Sequence, residues 1–115
     1  MYNLFLDDLR EPNLENYLNV DNFIIARSYQ EAIQIINEKG APIFISFDHD
    51  LGLAESGLDL AKFLIEKDLD NNGNFLNNNF SYFVHSANPE GKKNIEKLLN
   101  NYLKFKNKNK NNLKN

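Results

Sequence analysis

The chain contains no cysteine, and this absence excludes both a disulfide framework and a thiolate metal site. It also lacks any apolar run near the roughly 18–20 residues that a membrane-spanning helix needs. Its first residues have neither the basic segment nor the long apolar segment of a secretory signal peptide. We therefore expect a cytoplasmic protein with no membrane partner.

An excess of positive charge is also absent, since the formal net charge is −3. The last twelve residues, 104–115, carry five lysines and no acid, so the rest of the chain is more acidic than the total indicates. An acidic body is a poor non-specific binder of nucleic acid. The length of 115 residues suits one domain. We predict a folded domain over residues 1–103 and a disordered Lys/Asn-rich tail over residues 104–115.

Apolar strand patterns alternate with helical patterns along the chain. Strands are predicted over residues 3–7, 22–27, 42–48 and 80–84, a short helix over 13–19, and longer helices after residue 28, over 57–67 and after residue 88. Ser28 with Glu31, and Asn88 before Pro89, are typical helix starts. This alternation indicates a three-layer, doubly wound α/β fold with a parallel sheet.

Polar clusters follow three of the predicted strands. They are Asp7-Asp8, Asp48-His49-Asp50 and His85-Ser86. In a parallel sheet the carboxyl ends of the strands share one edge, and ligands bind there. The sequence therefore predicts one site that combines these clusters.

The acids of these clusters suggest a cation site. Asp7, Asp8 and Asp48 would offer oxygen ligands from neighbouring strands, which suits Mg²⁺ or Mn²⁺. The alternative is that Asp7-Asp8 closes a strand and caps the next segment. Asp50 is interpreted as a turn former and ranked below the other acids.

The two histidines of the chain, His49 and His85, both lie at the predicted edge. Imidazole titrates near neutral pH, so one ring can accept a proton while the other donates one to a leaving oxygen. A structural role for either ring is the alternative. We predict that they form a catalytic acid/base pair.

Three further side chains are candidates for binding phosphate. Ser86 has a hydroxyl group, Asn88 begins a helix whose free N–H groups attract anions, and Arg10 has a planar guanidinium group. The alternatives are a plain helix cap at Asn88 and a surface ion pair of Arg10 with Glu11 or another acid.

The motifs Leu6-Asp7-Asp8-Leu9-Arg10-Glu11-Pro12, Asp48-His49-Asp50-Leu51-Gly52 and His85-Ser86-Ala87-Asn88-Pro89 together resemble the cyclic-phosphate processing receiver domain, a divergent relative of two-component receivers. The resemblance covers about residues 2–103. It implies a receiver-like sheet in the order 2-1-3-4, although no fifth strand is predicted. In receivers the paired acids and the acid after the third strand hold magnesium, and that third acid, here Asp48, accepts a phosphoryl group.

The resemblance implies a metal-assisted phosphoesterase that acts on a cyclic or terminal phosphate of a nucleotide or RNA end. In that hypothesis Asp48 takes part in catalysis together with His49 and His85. The first alternative is a signalling receiver that is phosphorylated on Asp48. The second is a non-catalytic module that binds a nucleotide or a partner protein.

Overall fold

The computed structural model describes residues 1–13, 16–17, 20, 22–52 and 54–113. Within these residues the strands are β1 (Asn3–Leu6), β2 (Phe23–Ala26), β3 (Phe44–Phe47) and β4 (Ser81–Val84), and the helices are α1 (Tyr29–Lys39), α2 (Gly57–Asp70) and α3 (Pro89–Leu113). Each of the four predicted strands is therefore confirmed, with ends that differ by at most two residues.

The strands form one sheet in the order β2-β1-β3-β4, and each neighbouring pair is parallel. Leu6 lies opposite both Ala26 and Phe47, and Phe47 lies opposite Val84, so all four strands end at the same level. The predicted strand order and the receiver-like α/β class are thus confirmed. In the described part of the chain no fifth strand follows β4.

One face of the sheet carries the aliphatic core. Side chains alternate between the two faces of a strand, which places Leu4 and Leu6 on the same face. They join one buried cluster with residues from every helix, including Ile36 of α1, Leu64 of α2 and Ile95 of α3. Helix α2 packs against both α1 and α3. The helices are therefore fixed to the sheet by apolar burial rather than by local propensity alone.

The other face of the sheet carries aromatic rings. Phe5 on β1 makes edge-to-face contacts with Tyr17 and Phe23, and Tyr17 also contacts Phe44. Ser46 of β3 is fully buried among them. Tyr17 belongs to the segment between β1 and β2, where the predicted short helix over residues 13–19 lies largely outside the described residues.

A buried carboxylate joins three segments at the edge of the sheet opposite the strands' carboxyl ends. Asp68, near the end of α2, is fully buried and accepts hydrogen bonds from the backbone N–H groups of Phe75 and Leu76. Tyr102 of α3 donates its hydroxyl hydrogen to Asp68, and the Lys106 ammonium lies 3.1 Å from the same carboxylate. The loop after α2 and the last helix are therefore held together by one acid.

The C-terminal residues differ from their prediction. Residues 104–113, which we expected to be a disordered tail, continue α3 as far as Leu113. Contacts with distant residues fix the first part of this extension, because Lys106 donates to the Leu76 carbonyl oxygen and pairs with Asp68, and its side chain is only 13% exposed. No helix among the described residues combines the length and the apolar character needed to cross a bilayer.

Candidate active site

The carboxyl ends of β1, β3 and β4 bring the predicted polar clusters together. The backbone N–H of Asp48 donates to the Leu6 carbonyl oxygen at 2.8 Å, and that of His85 donates to the Phe47 carbonyl oxygen at 2.9 Å. The parallel ladder thus continues for one residue beyond each strand. This extension places Asp7, Asp48 and His85 side by side at the sheet edge.

Three carboxylates form a compact cluster at this edge. Asp7, Asp8 and Asp48 each present one oxygen atom, and these atoms lie within 4.8 Å of one another. Asp7 is fully buried and Asp48 is only 5% exposed, whereas Asp8 is partly exposed. Three acids so close together repel one another unless positive charge or hydrogen-bond donors compensate them.

Asp7 receives that compensation from several donors. Its Oδ1 atom accepts the backbone N–H groups of Leu9 at 2.9 Å and Arg10 at 2.8 Å, and its Oδ2 atom lies 3.0 Å from Arg10 Nε. Burial by itself would raise the pKa of Asp7, but these donors, together with His85, outweigh it and hold the pKa below its ordinary value. Asp7 is therefore a carboxylate at neutral pH.

Arg10 lies across the cluster. Besides Asp7, its guanidinium group reaches Asp48, with 3.5 Å between Nη2 and Oδ2. Arg27 holds the Arg10 backbone by donating to its carbonyl oxygen at 2.6 Å, and Arg27 rather than Arg10 pairs with Glu11. The sequence offered Glu11 or another acid as the ion-pair partner of Arg10, and in the structure Arg10 pairs with Asp7 and Asp48. The phosphate-binding role predicted for Arg10 stays a prediction.

His85 has hydrogen bonds at both ring nitrogens. Its Nε2 atom lies 3.0 Å from Asp7 Oδ2 and its Nδ1 atom lies 2.7 Å from Ser46 Oγ, which in turn is 2.8 Å from the Tyr17 hydroxyl. A neutral ring satisfies this chain if Nε2–H donates to Asp7 and Nδ1 accepts from Ser46. The ring also stacks on Phe5 with 4.5 Å between centroids. These contacts suit a ring that orients Asp7.

The charge of His85 follows from the same surroundings. Burial lowers the pKa of His85, and the opposing attraction of Asp7 does not restore its ordinary value. The ring is therefore neutral at pH 7. This state agrees with the neutral Nε2–H tautomer, which satisfies both hydrogen bonds.

His49 lies in a different environment from His85. Its Nδ1 atom is 2.9 Å from Asp50 Oδ1, and the side-chain amide of Asn88 donates to the other Asp50 oxygen at 3.3 Å. The hydrogen bond with His49 lowers the pKa of Asp50. Among the described residues nothing hydrogen-bonds the Nε2 atom of His49. An Nδ1–H that donates to Asp50 leaves Nε2 as a free proton acceptor.

Asp50 makes two contacts that the sequence does not indicate. The sequence suggests a turn former here, and the structure adds a hydrogen bond to His49 and one from Asn88. An aspartate directly after a histidine gives no signal of this contact, because neighbouring side chains do not usually face each other. The contact depends on the loop after β3 and on the start of α3, which are far apart in sequence.

Ser86 and Asn88 shape the start of α3. The Asn88 Oδ1 atom accepts the Gly91 N–H at 2.9 Å, so the predicted helix cap is confirmed. The Asn88 N–H donates to Ser86 Oγ at 3.1 Å, which leaves the serine hydroxyl hydrogen available to another acceptor. The Asn88 side chain thus has its own partners, whereas Ser86 can still donate to an anion.

Two glycines allow the helices to approach the residues after β3. A Cβ atom at Gly57 would lie 2.1 Å from the Asp48 carbonyl oxygen, and one at Gly91 would lie 2.3 Å from His49 Cγ. At Gly57 the neighbour is backbone, so a larger residue would push α2 away from Asp48. At Gly91 the neighbours are atoms of the His49 ring, so a larger residue would displace either α3 or that ring.

We expect the substitution Gly91→Ala to destabilise the wild-type protein because the added methyl group overlaps the His49 ring. Overpacking costs about 1–3 kcal/mol. In a His49→Ala background the overlap is gone, and the same substitution should stabilise the helix by up to about 1 kcal/mol. Urea unfolding of the four proteins measures both values. Equal destabilisation in the two backgrounds would contradict the contact between His49 and Gly91.

Comparison with known proteins identifies the family of this chain. A family model described as the cyclic-phosphate processing receiver domain matches residues 2–101. The match includes every residue of the site described above. No curated protein and no solved structure matches the chain.

Proposed function

Because the chain belongs to the cyclic-phosphate processing receiver domain family, we propose that it is a metal-assisted phosphoesterase acting on a cyclic or terminal phosphate of a nucleotide or RNA end. One observation carries the proposal. His49, oriented by Asp50 and with a free Nε2 atom, directly follows Asp48 of the carboxylate cluster. A proton acceptor and a cation site thus lie on consecutive residues.

Asp7, Asp8 and Asp48 would hold Mg²⁺ or Mn²⁺. The fit is supported by three carboxylates that each offer one oxygen atom, with these atoms within 4.8 Å of one another. The chemistry of the donors also suits a hard cation. When bound, such an ion polarises a phosphoryl oxygen and offsets its negative charge.

Hydrolysis of a cyclic phosphodiester adds water to phosphorus, breaks one P–O bond of the ring and protonates the oxygen that leaves. His49 accepts the proton of the attacking water at Nε2, while its Nδ1–H remains hydrogen-bonded to Asp50. The leaving oxygen takes its proton from solvent water, and the His49 ring later releases its extra proton to solvent. Both nitrogens of His85 are engaged, so we assign His85 the role of orienting Asp7. The acid/base pair of the sequence hypothesis is thereby reduced to one free ring, His49.

The phosphate would be bound next to the start of α3. Ser86 donates its free hydroxyl hydrogen, and the outward N–H groups of Arg10 form charge-assisted hydrogen bonds to phosphate oxygens. The positive end of the helix dipole favours the anion at the same place. Asn88 contributes indirectly, by capping α3 and holding Asp50.

The proposal is tested by incubating the protein with 2′,3′-cyclic nucleotides in Mg²⁺ or in EDTA and measuring monophosphate products by chromatography. We expect turnover that requires the metal and falls at least about tenfold in Asp8→Asn. Asp70→Asn is the matched control, because Asp70 is an exposed acid at the opposite edge of the sheet. If no cyclic phosphate is hydrolysed, the proposed phosphoesterase activity is refuted.

The signalling receiver and the binding module are separated by two further measurements. Covalent addition of a phosphoryl group from acetyl phosphate, lost in Asp48→Asn, would support the receiver. Two features argue against the signalling receiver. Asp48 is nearly buried beside Arg10, and no fifth strand follows β4 among the described residues. Thermal stabilisation by a nucleotide without turnover would support the binding module.

A further inference from the structure

We propose that Arg10 makes cation binding at the Asp7–Asp8–Asp48 cluster depend on phosphate. Without phosphate the guanidinium group is the cluster's own counter-cation and competes with a divalent ion. A phosphate group draws Arg10 away and so opens the cluster to the metal. This inference rests on the proposed function and adds to it a coupling between its two ligands.

The competition follows from the atoms that Arg10 contacts. Both backbone donors to Asp7 use Oδ1, so a cation has access to this residue chiefly through Oδ2. That atom lies 3.0 Å from Arg10 Nε and also 3.0 Å from the neutral His85 ring, so Arg10 is its charged partner. The Asp48 Oδ2 atom lies 3.5 Å from Arg10 Nη2. A divalent ion on these oxygens would face a positive charge within a few ångströms. The ion and the guanidinium group therefore exclude each other at the cluster.

The Arg10 side chain can rotate while its backbone stays in place. Its side chain is 53% exposed, in contrast to the buried carboxylates beneath it. Arg27 fixes the backbone by donating to the carbonyl oxygens of Asp7 and Arg10. Rotation of the Arg10 side chain alone would release the cluster without unfolding the segment after β1.

Phosphate is the anion best matched to this displacement. A guanidinium group binds phosphate oxygens through two parallel charge-assisted hydrogen bonds, which compensate for its lost contacts with Asp7 and Asp48. Since coupling between two ligands is reciprocal, phosphate would raise the affinity for the metal by the same factor by which the metal raises the affinity for phosphate. The metal then binds mainly when substrate is present.

The test is calorimetric titration of Mg²⁺ into the wild type, Arg10→Gln and Lys93→Gln, with and without inorganic phosphate. Lys93→Gln is the matched control, since it removes an exposed positive charge of α3 that forms no ion pair among the described residues. For Arg10→Gln without phosphate we expect at least about fivefold tighter Mg²⁺ binding than for the wild type. Phosphate should tighten Mg²⁺ binding at least about fivefold in the wild type and in Lys93→Gln, and clearly less in Arg10→Gln.

Equal Mg²⁺ affinity of Arg10→Gln and the wild type, or an unchanged effect of phosphate in Arg10→Gln, would overturn the inference while leaving metal-dependent turnover intact. Absence of Mg²⁺ binding in all three proteins would overturn the proposed metal site as well. If Arg10→Gln does not fold, Arg10→Lys replaces it. A lysine has one compact ammonium group and cannot bridge both carboxylates. The Arg10→Lys variant should therefore also bind Mg²⁺ more tightly than the wild type.

Discussion

Replacement of His49 by glutamine is expected to lower kcat for cyclic phosphate hydrolysis by about 10²–10⁴-fold, the usual contribution of a general base. Glutamine keeps a polar group of similar size near Asp50 but cannot accept the proton of the attacking water. KM should change little, because His49 is assigned to proton transfer and not to phosphate binding. Steady-state kinetics with a 2′,3′-cyclic nucleotide in saturating Mg²⁺ measures both constants.

His85→Gln is the matched comparison for this experiment. Since His85 is assigned to orienting Asp7, its substitution should weaken Mg²⁺ binding and lower the midpoint of thermal unfolding, effects that His49→Gln should not share. Turnover in His49→Gln within threefold of the wild type would show that another group accepts the proton. A loss of turnover in His85→Gln alone would show that His85, and not His49, accepts the proton.

The second large effect concerns Asp68, at the opposite edge of the sheet. Asp68→Ala should destabilise the protein by about 3–5 kcal/mol, because it leaves the Lys106 ammonium buried without its acid. The Phe75 and Leu76 N–H groups and the Tyr102 hydroxyl also lose their acceptor. This cost is a large part of the roughly 5–15 kcal/mol by which a domain is stable.

Urea unfolding measures the loss, and Asp70→Asn, an exposed acid two residues further along, should stay within about 0.5 kcal/mol of the wild type. Turnover per folded molecule should be unchanged in Asp68→Ala, because the chemistry is at the other edge. A loss in Asp68→Ala below about 1 kcal/mol would contradict the anchoring role.

Asp68 also makes the free energy of unfolding of the protein fall in acid. Burial alone would raise its pKa, but the hydrogen bonds from Tyr102, Leu76 and Lys106 outweigh burial and lower the pKa below the ordinary value of 3.8. The stabilisation is therefore complete above that ordinary value and is lost as the pH falls toward the lowered pKa. Unfolding midpoints in acid should decline less steeply for Asp68→Ala, although Asp7, whose pKa is also lowered, keeps some dependence.

The fold was predictable because its signals are local and repeated. Each strand is a short apolar run, and the capping residues Ser28 and Asn88 mark helix starts within a few positions. The parallel arrangement then places Asp7, Asp48 and His85 at one edge. The proximity of the three polar clusters therefore followed from topology alone.

The contacts that assign roles at the site were not predictable in the same way. His85 is engaged by Ser46 and Asp7, which are 39 and 78 positions away in sequence. Arg10 spans two acids, and Asp50 faces His49 only because α3 starts where it does. Such pairings depend on side-chain rotamers at the meeting points of distant segments, and hydrophobic periodicity carries no information about them.

The contact between Lys106 and Asp68 changes where this folding unit ends. The family match stops at residue 101, and composition places the boundary at residue 103. A chain cut at either point loses Lys106, and the cut after residue 101 removes Tyr102 as well. The buried Asp68 carboxylate then has no positive charge beside it. Five positions separate the end of the recognisable motif from the last residue that the core requires, and any truncation study of this domain has to retain them.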